Sequence, residues 1–593
     1  MTTASLDLGL VGNCSIGALI DARARLVWAC LPALDGDPAF CALLSPNAHP
    51  GGDFAVELED LADSCQAYLP NTAILRTVLR DRHGGEVEVI DFAPRYRNHG
   101  RFYRPASLIR RIRPLSGTPR ITLRVRPLAD WGARQPEHTW GSNHIRWHLP
   151  EMTLRLTTDV PVRFLRQELS FVLQHPVDLV LGVDETLDQP LTRYAQQAQD
   201  STEEHWREWV RYLSVPLEWQ DAVIRSAITL KLCQYEDSGA IIAAMTTSIP
   251  EAPHSRRNWD YRYCWLRDAA FVVRALNRLG ATRTMEHFIA YIFNLATSDG
   301  SLQPLYGIDF TAELHEADMP ALDGYRGQGP VRCGNLAWVQ RQHDVYGSVI
   351  LAATQLFFDQ RLKDQGDAAT FARLEPLGEQ AYALHDVPDA GPWEFRGRTA
   401  VHTYTSAMCW AGCDRLAKIA RHLGLAEREH YWQTRADTVH AAVSARGFSA
   451  SAGHFVATFD GDHLDASLLL LAPIGFVHPA DPRYVATVEA IGRDLRHGDG
   501  VFRYITPDDF GTPETSFTIC TFWYIEALVM IGRKDEARTL FESVLARRNP
   551  VGLLSEDIKL DDGTAWGNFP QTYSHVGLIA AAMRLSRRWE AVL

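Results

Sequence analysis

Arg257-Asn-Trp-Asp-Tyr-Arg-Tyr-Cys-Trp-Leu-Arg-Asp268 runs straight into Ala-Ala-Phe-Val-Val-Arg-Ala-Leu at 269–276. The apolar residues of the second stretch recur at helical spacing, so the first reads as a loop at the mouth of a helix. Towards the C-terminus the same helical pattern returns, at 219–235, 269–279, 283–295, 345–358, 372–385, 406–423, 427–445, 484–495, 519–531, 534–546 and 572–587. The loops between these segments carry Gly, Pro, Trp, Asp and Arg. This arrangement predicts an α/α toroid, with its functional loops gathered at one end. No short repeat of solenoid type is present.

Towards the N-terminus the pattern changes. Residues 191–214 are polar, with Trp206, Trp209 and Tyr212 at helical spacing, and read as a linker helix packed between two domains. Before it, short alternating or β-branched runs at 18–20, 26–28, 74–79, 87–90, 121–125, 152–157 and 179–183 predict strands. Turn signals at 35–36, 49–52 and 83–85 separate them. Many short strands at this spacing predict a β-sandwich over residues 1–190. The predicted fold is therefore an N-terminal β-sandwich, a linker helix at 191–214 and an all-α toroid at 215–593.

Composition narrows the function. The chain has 593 residues, 46% hydrophobic and 22% charged, with a formal net charge of −13. No long run of one sign is present, which argues against nucleic acid or an anionic membrane as the main partner. The longest apolar stretch, 468–477, is broken by Pro473 and too short to span a bilayer. The 10 Cys are scattered without CxxC pairs and read as reduced, cytoplasmic thiols. Cys409 and Cys413 read as one buried helix face. HExxH, EF-hand and GxSxG patterns are absent.

The 257–268 loop sets Trp259, Tyr261, Tyr263 and Trp265 among Asp260, Arg262, Arg267 and Asp268. Aromatic faces hold the apolar side of a sugar ring and charged groups bond its hydroxyls. Asp268 could instead cap the following helix, but a cap does not account for four aromatics in seven residues. The glycine-rich run from Gly324 to Asn335 lacks the spacing of a phosphate loop and reads as a shaped loop around a pocket. Trp338 beyond it could be a stacking platform or plain core.

Two carboxylates complete the pattern. In Gly391-Pro-Trp-Glu-Phe-Arg-Gly397, Glu394 lies between two aromatics. A carboxyl group walled by aromatic rings is partly desolvated, the condition under which a carboxylic acid holds its proton near neutral pH. The alternative is a loop glutamate paired with Arg396. In Gly552-Leu-Leu-Ser-Glu-Asp557, Glu556 could accept a proton from water or be a solvated loop acid; Asp557 and Asp561 could serve equally.

In this order, the loops resemble those of glycoside hydrolase family 15, the glucoamylase-like enzymes. Asp-Tyr-Arg-Tyr-Cys-Trp-Leu-Arg-Asp at 260–268 is similar to the family's aromatic loop. Trp393-Glu394 resembles its general-acid motif and Ser555-Glu556 its general-base motif. The opening, from Leu10-Val-Gly-Asn to Leu44, is similar to the N-terminal β-domain of bacterial trehalase-like members. The resemblance implies an (α/α)6 barrel and inversion at the anomeric carbon. Glu394 would be the acid and Glu556 the base. Arg267 and Asp268 would grip the terminal glucose, Tyr261 would stand near the reacting carbon, and Trp265, Trp338, Trp393, Arg503 and Tyr573 would line the subsites. Inversion needs an acid and a base roughly 6.5–9.5 Å apart, and no metal or cofactor.

The expected substrate is a small α-linked glucoside such as trehalose, isomaltose or a short malto-oligosaccharide, cleaved from its non-reducing end. Two rival readings are an inverting disaccharide phosphorylase, in which phosphate replaces water and base, and a non-catalytic sugar-binding protein. The linkage is open, as is assembly into a homo-oligomer.

Overall fold

In the computed structural model, residues 4–45, 51–295 and 300–592 are described. The N-terminal part is built on two antiparallel sheets. One has six strands in the order Leu8–Gly12, Gly17–Asp21, Leu26–Ala29, Asp53–Leu58, Arg120–Arg126 and Phe171–Val172. The other has eight, in the order His138–Trp140, His144–His148, Thr153–Thr158, Val177–Val183, Leu108–Ser116, Glu86–Phe92, Leu75–Asp81 and Leu61–Tyr68. Val56 and Leu123 of the first share one hydrophobic core with Leu79, Val89, Leu156 and Leu181 of the second. All seven strand segments expected from the sequence overlap observed strands, five lying wholly within them and those at 74–79 and 152–157 starting one residue early. The 83–85 signal is the hairpin joining Leu75–Asp81 to Glu86–Phe92. Of the turn expected at 49–52, positions 49 and 50 lie outside the described residues.

Leu108–Ser116 is a central strand that the sequence pattern hides. Its Arg110 and Arg111 are buried, each neutralised by a cross-strand carboxylate: Arg110 Nε lies 2.6 Å from Asp91 Oδ1 and Arg111 Nε 2.7 Å from Asp178 Oδ1. A buried charge is tolerated only when paired in this way, and a reading based on alternating polarity takes such residues as surface ones.

After the short helix α1 (Val162–Arg166) comes α2 (Leu191–Arg211). Its Tyr194, Ala195 and Ala198 pack on Ile90, Ile109 and Val180 of the eight-stranded sheet. Its Trp206 and Val210 join the hydrophobic core of the helical part.

The helical part contains α3 (Gln220–Leu232), α4 (Leu266–Arg278), α5 (Thr282–Leu295), α6 (Asp344–Thr354), α7 (Ala368–Leu384), α8 (Thr403–His422), α9 (Ala426–Arg446), α10 (Pro482–Asp494), α11 (Thr518–Met530), α12 (Lys534–Leu545) and α13 (Thr572–Leu585). Each overlaps a helix expected from the sequence. Neighbour relations run α4 to α6 to α8, then to the 3-10 turn Ala466–Leu470, then to α11, α13 and back to α4. The other helices lie against these: α3 on α13, α5 on α4, α7 and α9 on α8, α10 and α12 on α11. Sequence reflects the layer. α11 is apolar nearly all round and buried on all sides, whereas α9 buries one stripe, Trp432, Ala436, Val439 and Val443. The Ala466–Leu470 turn overlaps the start of the apolar 468–477 stretch and is too short to show a helical period. Cys409 and Cys413 lie buried on α8. No described helix is long and apolar enough to cross a membrane.

Candidate active site

The 257–265 segment is extended. Its odd-numbered carbonyls accept from a neighbouring stretch: those of Arg257, Trp259, Tyr261 and Tyr263 bond the N–H groups of Glu251, Ser248, Ala244 and Ala243. Side chains of extended backbone alternate between two faces, and here the faces have different fates. Arg257, Trp259, Tyr261 and Trp265 line an open-mouthed cavity. Asp260 and Arg262 point the other way. They form a fully buried ion pair, 2.8 Å apart, and Arg262 Nη1 donates to the Gly36 carbonyl of the sheet-rich part at 2.6 Å. These two charges, read from the sequence as sugar contacts, instead anchor the loop. Tyr263 is also buried outside the cavity, its hydroxyl accepting from Gly334 N–H at 3.1 Å.

Where the segment becomes helical, Arg267 and Asp268 occupy the first turn of α4 and line the cavity. Asp268 is not the helix cap; Trp265 holds that position. Arg267 reaches Gln342 Oε1 at 2.9 Å, Asp344 Oδ2 at 3.3 Å and Glu394 Oε1 at 3.4 Å. Asp268 Oδ2 is buried without a hydrogen bond, Arg267 Nε standing off at 3.6 Å. Burial pushes the Asp268 carboxyl up to about 7, against the attraction of Arg267 and with the repulsion of Glu394. A buried carboxylate oxygen lacking a donor fits a site for ligand hydroxyls.

Glu394 also faces the cavity. Trp265 Nε1 donates to its Oε1 at 2.6 Å. Arg396 does not pair with it; that guanidinium binds Glu316 at 2.8 Å and lies over the Trp259 ring. The flanking aromatics share the cavity lining but take other partners. Trp393 Nε1 donates to Asp465 Oδ2 at 2.6 Å and its ring packs near Tyr504, Phe517 and Trp523. Phe395 stacks on His402. Glu394 holds φ of +61°, a conformation costly for a side-chain-bearing residue and concentrated at functional sites. The glycines at both ends fit tightly. A Cβ at Gly391 would sit 2.6 Å from His402 Nε2, and one at Gly397 2.4 Å from Asp509 Oδ1.

Glu556 is not a solvated loop acid: it is 1% exposed. It lies behind the cavity lining, fixed by backbone bonds from its N–H to Asn568 and from Thr518 N–H to its carbonyl. Tyr261, which does line the cavity, donates its hydroxyl to Glu556 Oε1 at 2.7 Å, and Asn568 N–H donates to Oε2 at 3.1 Å. Burial raises the carboxyls of both Glu556 and Asp557; the negative charge of Glu251 adds to this and Arg503 opposes it. Asp557 is buried beside Thr515, which donates to its Oδ1 at 3.0 Å. His575 holds the Glu556 loop from below, its Nε2 accepting from Leu554 N–H at 3.3 Å.

Arg503, Trp393 and Tyr573 join the lining. Trp338 does not. It packs on the apolar cluster of Tyr263, Trp265 and Leu305 and against His315, while its neighbours Ala337 and Gln340 face the cavity. Of the glycine-rich loop only Asn335 reaches the cavity. Gly324 N–H bonds Leu44 O and Arg326 bonds Ala4 O in the N-terminal part.

Sequence reasoning missed two further parts of the lining. Glu251 is buried and paired with Arg503. Asp508 forms a 2.5 Å ion pair with Arg257, beside the cavity-lining Phe510. A glutamate flanked by prolines in Ile249-Pro-Glu-Ala-Pro253 was the available signal for the first. Among the described residues no cluster of His, Cys, Asp and Glu is arranged to hold a metal ion.

Comparison with known proteins agrees with this geometry. Residues 219–583 match the model for glycosyl hydrolases family 15, and residues 4–148 match a trehalase-like N-terminal domain. The chain is 32% identical to a trehalase of Mycobacterium tuberculosis, over 98% of this chain and 90% of that one. It is 30% identical to a trehalase of Thermoplasma volcanium, over 97% and 93%. Among solved structures, a bacterial glucoamylase complexed with acarbose superposes with a TM-score of 0.70 at 13% identity, covering 98% of this chain and 94% of that one; this likeness speaks to the fold. With the family model spanning all the cavity residues and relatives aligned along nearly the full length, the chain belongs to glycosyl hydrolase family 15 and is a glycoside hydrolase.

Proposed function

We propose that this enzyme is an inverting trehalase. Glu394 protonates the glycosidic oxygen of α,α-trehalose, and Glu556 takes a proton from the attacking water. Water's oxygen bonds to the anomeric carbon as the carbon–oxygen bond to the second glucose breaks. The products are one β-glucose, formed with inversion, and one α-glucose, the leaving group. The observation that carries this reading is that one loop bonds both carboxylates: Tyr261 donates to Glu556 and Trp265 to Glu394.

In this reading Arg267 and Asp268 hold the hydroxyls of the terminal glucose, which makes cleavage exo-acting. Arg503, Trp393 and Tyr573 shape the subsites, and Trp338 packs behind the lining, against the cluster that holds Trp265. The closed sequence of inner helices with others packed around it supports an (α/α)6 barrel at 215–593. The shared core of the two sheets supports a β-sandwich at 1–190, with α2 joining the two. Trehalose is favoured over isomaltose or maltose because the trehalases align along both parts of the chain.

The test is a panel of trehalose, kojibiose, nigerose, maltose and isomaltose, with the released anomers followed by NMR. Trehalose should give the highest kcat/KM, with equal initial α- and β-glucose. Two α-glucose products would reject inversion, and preference for another disaccharide would reject trehalose. Release of a glucose phosphate only when phosphate is supplied would make it a phosphorylase. Glu394→Gln and Glu556→Gln should each lower kcat by about 10²–10⁴ with the fold intact.

A further inference from the structure

Helix α4 carries a second constellation on the face that reaches the active site. Arg267, Phe271, Arg274 and Arg278 follow one another at helical spacing. Arg267 belongs to the active-site cavity. Phe271 packs edge-on against Tyr573 of that cavity, with ring centres 5.5 Å apart. On the far side of Phe271 lie two more cavities, and both Phe271 and Arg274 line both of them. Arg274 is six residues past Asp268, about 9 Å further along the helix axis.

One of these clefts has mainly apolar walls that include Leu351, Ala352, Met408 and Ile474. The other adds Arg278 and Glu526 to the shared Arg274. The charges there do not balance. Glu526 is already engaged by Arg584, Nε to Oε2 2.5 Å. Arg415 is bound by Asp414 and donates to the Ile474 carbonyl. Arg274 makes one long contact, 3.4 Å to the Pro473 carbonyl. Arg278 has no hydrogen-bond or ion-pair partner among the described residues. Burial, with Arg278 close by, pushes the Arg274 guanidinium down to about 10. A half-buried arginine without an anion is poorly compensated, and the guanidinium fork matches a carboxylate.

We propose that this end of the helical ring is a binding site for a small amphipathic carboxylate, its head on Arg274 and Arg278 and its apolar part between Leu351, Met408 and Ile474. A single negative charge suits the site, because Glu526 faces the same space. The site is separate from the sugar cavity, and its ligand would touch α4 below the turn that bears Arg267 and Asp268.

Isothermal titration of the full-length enzyme with sodium octanoate tests this, with 1-octanol supplying the tail alone and sodium sulfate the charge alone. One saturable octanoate site is expected, with octanol and sulfate each at least tenfold weaker. Arg274→Met and Arg278→Met should each weaken octanoate at least tenfold. Arg278, half-buried at the cavity edge, provides a variant should Arg274→Met not fold. No octanoate binding by the wild type, equal binding of octanol or sulfate, or unchanged affinity in the variants that fold would overturn the proposal.

Discussion

Tyr261 donates its hydroxyl to Glu556 at 2.7 Å, and four residues on Trp265 donates its indole N–H to Glu394 at 2.6 Å. A single extended segment thus fixes the orientation of two carboxylates that lie 162 positions apart in the chain. Removing the first donor while keeping the ring should be felt in the chemical step. Tyr261→Phe is expected to lower kcat about 10–100-fold, with KM changed far less, since one hydrogen bond to a charged group is lost. Steady-state kinetics on trehalose, with a melting curve to verify folding, measure this; an unchanged kcat would remove Tyr261 from the mechanism.

The pH profile should carry the mark of burial. Glu556 must be ionised to accept a proton, and Asp268 accepts sugar hydroxyls best when ionised. Burial raises both carboxyls, Asp268 to about 7. Lowering the pH protonates them, so kcat/KM should fall on the acid side with a midpoint well above the usual carboxylate range. Glu251→Gln removes a negative charge that raises Glu556 and frees Arg503 to attract it. The acid limb should therefore move to lower pH in that variant, and a limb that stays in place would contradict the assignment.

Asp389 offers a stability test independent of turnover. Its carboxylate accepts from His343 N–H at 2.7 Å and Gly391 N–H at 3.0 Å, yet burial dominates and pushes it up to about 7. Because its folded value lies above the unfolded one, the folded state binds more protons between about pH 4 and 7, and stability declines as pH rises across that window. Asn cannot titrate. Asp389→Asn should therefore gain stability relative to wild type as pH goes from 4 to 7, whatever its offset at pH 4. Urea unfolding at several pH values measures the difference, and a flat difference would show that Asp389 is ionised throughout.

Gly391 has φ of +70° and no room for a side chain against His402. Gly391→Ala should cost about 1–3 kcal/mol in stability. It should also lower kcat, because Gly391 opens the turn that presents Glu394. Gly424→Ala has a similar φ but open space around it, so it should show the strain cost alone and keep its kcat.

The helical half declared itself in the sequence because its helices are amphipathic or wholly apolar and their period survives in the residues. The sheet-rich half was read less completely. Leu61–Tyr68 is a polar edge strand, and Leu108–Ser116 hides paired arginines in its centre. At the site, residue types marked both carboxylates and the aromatic loop. They could not reveal which face of the extended segment each side chain takes, and so Asp260 and Arg262 were misread. Nor could they show that Trp393 is tied to Asp465 and Phe395 stacked on His402. Glu251 comes from a separate stretch, and only folding brings it to Arg503.

The inward-facing half of the sugar loop bears on how such enzymes can be recombined. Arg262 is clasped by Asp260, reaches the carbonyl of Gly36 and lies over Trp131. The sheet-rich part contributes no described residue to the cavity lining, but it provides the socket in which the loop is seated. Exchanging that part for one from a distant relative would leave every lining residue in place and still unseat them. A productive chimera must carry over a matching socket at 36 and 131, so the two halves are expected to change in step through evolution.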